Sequence, residues 1–233
     1  MSEMGEAARD RRALVKNGLV LGSLLAVPGA VSAAQKMARL TSRDLKPMSQ
    51  PPVPGHAAPV LTSSKVVRPE LLRRALASLQ RHGDRVKRDR IAIVDFAAPS
   101  SQPRLHFLDI ASGRSTSLLV AHGSGSDPAH TGYLARFSNQ SGSNASCEGA
   151  FLAADYYVGK HGRSQRLIGL DPTNDNALSR AIVVHAAWYA NKDMLRTHGM
   201  LGRSQGCFAV GESDLAEMFA RLGEGRMIYA TKV

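Results

Sequence analysis

Hydrophobic positions fall into three regimes along the chain. Residues 19–31 form one apolar run, interrupted by Gly22, Pro28 and Gly29. Residues 35–68 show no apolar periodicity, and Pro47, Pro51, Pro52, Pro54 and Pro59 crowd there among Ser, Gln and Gly. From Pro69 onward the pattern becomes periodic. Leu71, Leu72, Ala75, Leu76 and Leu79 recur at helical spacing while Arg73, Arg74 and Arg81 take the opposite face, which predicts an amphipathic helix. Pro69 suits its first position, Glu70 complements the positive end of the helix dipole, and Gly83 supplies a stop. Short runs rich in β-branched and aromatic residues then predict strands over 91–96, 105–110, 115–120, 167–170 and 182–185, with 226–231 as a closing strand. Ser112-Gly113-Arg114 reads as a hairpin turn, 157–162 as a second turn, and the stretch through Asn139 and Ser146 to Phe151 as a polar, glycine-bearing loop. Ser213 is placed to cap a helix over 214–222, ended by Gly223 and Gly225. Many short strands with a helix at each end predict a mainly β domain with peripheral helices (α+β), a sandwich or barrel, over 69–233.

The first apolar run reads as part of an export signal over 1–34. Arg9, Arg11, Arg12 and Lys16 precede it, small residues Ser32-Ala33-Ala34 follow it, and it is too short and too interrupted to span a bilayer. The order Arg11-Arg12-Ala13-Leu14-Val15-Lys16 resembles a twin-arginine signal, which carries folded cargo. The expectation is an exported protein of the periplasm or cell envelope, without a stable membrane span once the signal is cleaved. Residues 35–68 read as a proline-rich linker.

Composition narrows the partners. With 233 residues and 43% hydrophobic content, a core is feasible, and a formal charge of +11 calls for an anionic partner or surface. The basic residues are scattered, and neither a zinc finger nor an aromatic-interleaved RNA motif is visible, so no nucleic acid is expected. Acidic cell-envelope polymers fit the charge. The only two cysteines, Cys147 and Cys207, are too few for a disulfide scaffold or a four-cysteine metal site. A Cys147–Cys207 bridge would silence thiol chemistry; a free, buried Cys147 is the expectation.

Candidate chemistry concentrates late in the chain. His185 closes the apolar run 181–184, and Arg203-Ser204-Gln205-Gly206-Cys207-Phe208 places a thiol at the end of a polar loop. A thiol attacks an acyl carbon as thiolate, so it needs a base such as His185. Consecutive N–H groups around Gly206 can stabilise the oxyanion. This chemistry is acyl transfer through a thioester, with water or an amine as second nucleophile. The bland readings are a packed cysteine and a hydrogen-bonded structural histidine. A zinc site from His122, His185, His198 and Cys207 lacks tight ligand spacing.

Ile182-Val183-Val184-His185 with Gly202-Arg203-Ser204-Gln205-Gly206-Cys207 resembles the active-site signature of bacterial L,D-transpeptidases, closest to the murein L,D-transpeptidase catalytic-domain branch. Further landmarks are Phe137-Ser138-Asn139, Gly159-Lys160-His161-Gly162, Gly169-Leu170-Asp171 and Arg180. The resemblance implies a β-rich domain acting on peptidoglycan stem peptides without metal or organic cofactor. Cys207 would attack the L-centre carbonyl of a diaminopimelate residue, with His185 as base and acid and the N–H groups around Gln205, Gly206 and Cys207 as oxyanion hole. The chain departs from the commoner pattern at Gln205, where relatives carry His, at Phe208-Ala209, and in a longer His-to-Cys interval. His122 would then either compensate from its own loop or be a polar structural histidine, Arg203 hold a substrate carboxylate or be a solvated loop arginine, Ser204 bind substrate or brace the loop, and Asn139 bind substrate. Tyr189 and Trp188 line the cleft or pack beneath it. Alternatives are an L,D-carboxypeptidase using water as acceptor, and a non-catalytic basic wall-binding protein.

Overall fold

A computed structural model of the chain describes residues 66–233 and the backbone of Arg39 and Leu40. The expected export signal and most of the expected linker lie outside the described residues. The elements in order are β1 (Arg39–Leu40), α1 (Pro69–Arg81), β2 (Arg90–Asp95), β3 (Leu105–Asp109), β4 (Ser115–Leu118), β5 (Gly149–Gly159) and β6 (Gly162–Gly169). They continue with β7 (Val183–Ala186), α2 (Asp193–His198), β8 (Phe208–Val210), α3 (Leu215–Leu222) and β9 (Met227–Thr231). Among the described residues no helix is long and apolar enough to cross a membrane.

One mainly antiparallel sheet runs in the order β4-β3-β2-β9-β5-β6-β7-β8, with β1 pairing to β5 off that path. The last strand is therefore not a closing edge. β9 lies between β2, to which it is parallel, and β5, to which it is antiparallel. Both of its faces are covered, because side chains alternate between two apolar layers. Ala92, Val94, Phe151, Ile228 and Ala230 enter one cluster with Met218, Phe219 and Leu222 of α3. Ile91, Ile93, Ala150 and Met227 enter the other with Leu71, Ala75 and Leu79 of α1.

The sheet folds over its α3-side layer. Phe96, just beyond β2, stacks on Phe208 of β8 with ring centroids 6.2 Å apart, although four strands intervene in the hydrogen-bonded order. Ala121↔Ala209 and Gly123↔Ser204 bridge the two ends only as isolated pairs, so the barrel alternative gives way to an open, curled sheet. The mainly β class with peripheral helices stands.

Local differences have physical causes. Residues 149–159 form the longest strand of the sheet rather than the tail of a loop. A register shift between Ala153 and Tyr156 breaks the alternation that would have marked it. The turn expected over 157–162 shrinks to Lys160-His161 between paired Gly159 and Gly162. Ser213 caps nothing: it sits inside a 3₁₀ turn over Glu212–Asp214, and Asp214 is the residue before α3. The short α2 was not anticipated, although Asp193 in its first turn, Arg196 and His198 in its last, and Gly199 at φ 71° are ordinary helix punctuation. The packed layer includes residues before Pro69, since Val67 is buried with α1 and Arg68 forks onto Asp95 at 2.7 and 2.7 Å. Within the expected linker, Arg39–Leu40 pairs with Tyr157 and Tyr156.

Candidate active site

Parallel pairing of β7 with β8 sets His185 opposite Ala209, two residues beyond Cys207. The loop that carries Cys207 into β8 is closed on itself. Ser204 Oγ donates to the Cys207 carbonyl at 2.7 Å and accepts the Gly206 N–H at 3.1 Å. Ser204 is therefore a buried brace. Gly206 has φ +111°, and a Cβ there would stand 2.7 Å from both Ala145 O and Ile182 Cδ1, so only glycine fits. Gln205 projects outward, exposed.

The loop that follows β4 forms the floor. Ser204 N donates to His122 O at 2.9 Å, and Ser124 N donates to Ser204 O at 2.8 Å. A third segment packs beneath: Gly125 N donates to Asn144 O at 3.0 Å and Gly123 N to Ser146 Oγ at 3.0 Å. The His122 ring does not reach the cleft. It is 1% exposed, with Nδ1 accepting from Arg104 Nη2 at 2.7 Å and Nε2 facing Asp127 Oδ2 at 3.3 Å. Burial, reinforced by the Arg104 charge, pulls its pKa down to about 4. His122 lends the site a backbone carbonyl, not a base. Asn139 is also directed elsewhere, donating to Asp175 Oδ1 at 2.6 Å and Pro172 O at 3.2 Å, which staples its loop to the turn after β6.

Cys207, His185, Ser204, Gln205 and Arg203 line one cleft of about 750 Å³. Lys160, His161, Arg180 and Tyr189 complete its polar wall. His185 Nδ1 donates to Ala186 O at 2.8 Å, which fixes the tautomer and leaves Nε2 to take a proton. Its ring stacks on His161 with centroids 4.2 Å apart and planes at 20°. Burial holds His185 at a pKa of about 4; the Ala186 carbonyl opposes this, and the charges of His161 and Lys160 add to it. The Cys207 thiol is pushed up by burial, against the Val183 N–H and the charges of Lys160 and Arg180. Sγ donates to Ala181 O at 3.5 Å. Ala181 holds that carbonyl in place from a left-handed conformation, φ 54°, which costs a non-glycine residue roughly 1–2 kcal/mol. Among the described residues no hydrogen bond joins Sγ to His185. Burial disfavours both charges, so the resting pair is a thiol and a neutral imidazole.

The backbone donors divide unequally. Gly206 N–H is committed to Ser204, whereas the N–H groups of Gln205 and Cys207 meet no acceptor among the described residues. Arg203 Nη1 is held by the carbonyls of Asp127 and Pro128, leaving Nε and Nη2 uncommitted. Both terminal nitrogens of Arg180 are engaged: Nη1 reaches Ser138 O and Cys147 Sγ at 2.7 Å each, and Nη2 reaches Ala145 O at 2.6 Å and Ser143 Oγ at 3.2 Å. Cys147 is buried and both cysteines are free, so no bridge ties up the thiol. The four residues of the zinc alternative are not gathered; no cluster of three or more potential ligands occurs among the described residues. Lys160 and His161 were legible as part of the turn over 157–162 and of the Gly159-Lys160-His161-Gly162 landmark, but nothing in that pattern said that the turn reaches the cleft.

A sequence-family model described as the L,D-transpeptidase catalytic domain matches residues 63–231. The chain belongs to that family. Solved structures similar to this L,D-transpeptidase domain include an L,D-transpeptidase from Mycobacterium smegmatis, 12% identical, covering 61% of this chain and 58% of that one at a TM-score of 0.38. An L,D-transpeptidase from Mycobacterium tuberculosis is 12% identical over 62% of this chain and 58% of its own, at 0.38. The helical cell shape determining protein Pgp2 from Campylobacter jejuni is 12% identical over 66% and 53%, at 0.39. The matches thus span less than two thirds of each of those chains. No curated protein sequence matches.

Proposed function

We propose that this chain is an exported peptidoglycan L,D-transpeptidase of the periplasm or cell envelope, with Cys207 as nucleophile and His185 as general base and acid. The observation that carries this reading is the shared cleft, in which a neutral, tautomer-fixed imidazole on β7 and a partly buried thiol in the loop leading into the neighbouring β8 both stand. On substrate entry the thiol leaves the Ala181 carbonyl and passes its proton to His185 Nε2 as sulfur attacks the diaminopimelate L-centre carbonyl. The N–H groups of Gln205 and Cys207 receive the oxyanion. His185 then returns the proton to the departing amine of the terminal D-residue, leaving a thioester. The amine of a second stem peptide attacks that thioester, its proton passes to His185, and the crosslink releases the thiol. Gln205 cannot titrate, so its side chain acts by contact with substrate.

The test is incubation of the reduced protein with a tetrapeptide stem, with and without an acceptor stem, read by mass spectrometry. Cys207→Ala is expected to lower crosslink formation by at least about 10³-fold. A carbapenem, which mimics the acyl donor, is expected to add its mass to Cys207 and not to the buried Cys147. Full crosslinking by Cys207→Ala would sink the assignment. Tripeptide as the sole product, even with acceptor present, would make the enzyme a carboxypeptidase that gives the same thioester to water.

A further inference from the structure

Charge in the cleft is one-sided. Its lining includes Lys160, Arg180 and Arg203 and contains neither Asp nor Glu. The three cations differ in what they have left to give. Arg180 directs both terminal nitrogens at protein acceptors, beneath the nucleophile loop. Arg203 keeps one edge of its guanidinium open. Lys160 stands in no ion pair among the described residues and is exposed to the cleft.

The position of Lys160 is nonetheless defined. It occupies the first place of the two-residue turn between β5 and β6, where Gly159 pairs with Gly162 and Gly162 takes φ +72°. The neighbouring turn residue, His161, stacks on His185 at 4.2 Å, so the hairpin tip is docked on the base. A lysine whose turn is held against His185, lining a cleft without acidic side chains, presents three donors to whatever anion the substrate carries.

We propose that Lys160 is a specificity residue that holds the diaminopimelate side-chain carboxylate of the donor stem, so that the cleft takes stems bearing this free carboxylic acid in preference to its carboxamide. The inference rests on the reading that this cleft acylates stem peptides. The donor carries carboxylates close to the bond that is cut, one on the terminal D-residue and one at the far centre of diaminopimelate. Lys160 and the open edge of Arg203 supply two cationic contacts for them from different elements. A carboxamide at either place brings its own N–H donors towards a cation and forfeits the charge-assisted bond.

Two donor tetrapeptides test this, one with the diaminopimelate side-chain carboxylate free and one with it amidated, each assayed for acylation of Cys207 and for crosslinks. The native enzyme is expected to favour the free acid in kcat/KM by about tenfold or more, chiefly through KM, with the preference shrinking as salt is raised. In Lys160→Met the acid-to-amide ratio falls to about one, and Lys160→Arg restores it. Equal use of both donors by the native enzyme, or a preference that persists in Lys160→Met, overturns the proposal while leaving the transpeptidase reading intact. Failure of both donors to acylate Cys207 overturns the two together.

Discussion

At the scale of single residues the site is built from side chains whose charged forms are suppressed. In the proposed role of base, His185 would act only when neutral, which it is above its pKa. Burial lowers that pKa from the usual 6.5 to about 4, so the ring is competent at pH values where an exposed histidine would be half protonated. The expected kcat/KM for acylation is flat from roughly pH 5 to 8 and falls only as pH drops through about 4. An acid limb near 6.5 in a stopped-flow profile of carbapenem acylation would contradict this. Cys207 and His185 were legible in the sequence because each adjoins an apolar strand that marks where the backbone must go. His122 and Asn139 were not, since a polar residue in a glycine-bearing loop looks the same whether it faces a cleft or a core. Arg104 shows how far such inversion goes: it is wholly buried, its guanidinium bonded to Val120 O, Ala98 O and His122, and desolvation brings its pKa down to about 9.

At the scale of elements, the nucleophile loop is held by two neighbouring loops rather than by its own strand. Arg180 joins the segment 138–147 to the turn before β7, and a Cβ at Gly206 would come within 3.2 Å of its Nη2. Arg180→Met removes a donor from Ser138 O and the donor to the buried Ala145 O, the latter loss worth about 1–3 kcal/mol. The expected result is faster amide exchange over 138–147 and slower acylation of Cys207, with β2 and β9 protected as before. Unchanged exchange in that segment would show that the clamp is not needed. The strands announced themselves unevenly. β2, β3 and β7 were readable as compact apolar runs and β4 as the second arm of a hairpin, while β5 hid behind its irregularity even though the turn that ends it was legible. A bulge shifts which side chains face inward, and period-two reasoning has no way to count across it.

At the scale of the whole molecule, histidine burial couples the site to stability. His122 and His185 both have folded-state values near 4, below the 6.5 of an unfolded chain. Between those values the unfolded chain binds more protons, so stability is fully present above about pH 6.5 and is lost as pH falls toward 4, on the order of 3 kcal/mol per ring. Melting temperature is expected to drop across that window, and His122→Gln is expected to flatten the drop; a melting curve indifferent to pH from 7 to 4 would refute it. The fold class was legible from the density of short apolar runs, but the strand order was not, because pattern gives each strand a face and no address. That order has a consequence during synthesis. β9, encoded near the far end of the chain, is the piece that joins the β4-β3-β2 half of the sheet to the β5-β6-β7-β8 half. Until β9 has been made, β2 and β5 lack the strand that lies between them, so the two halves of the sheet can join only after every other strand has been synthesised.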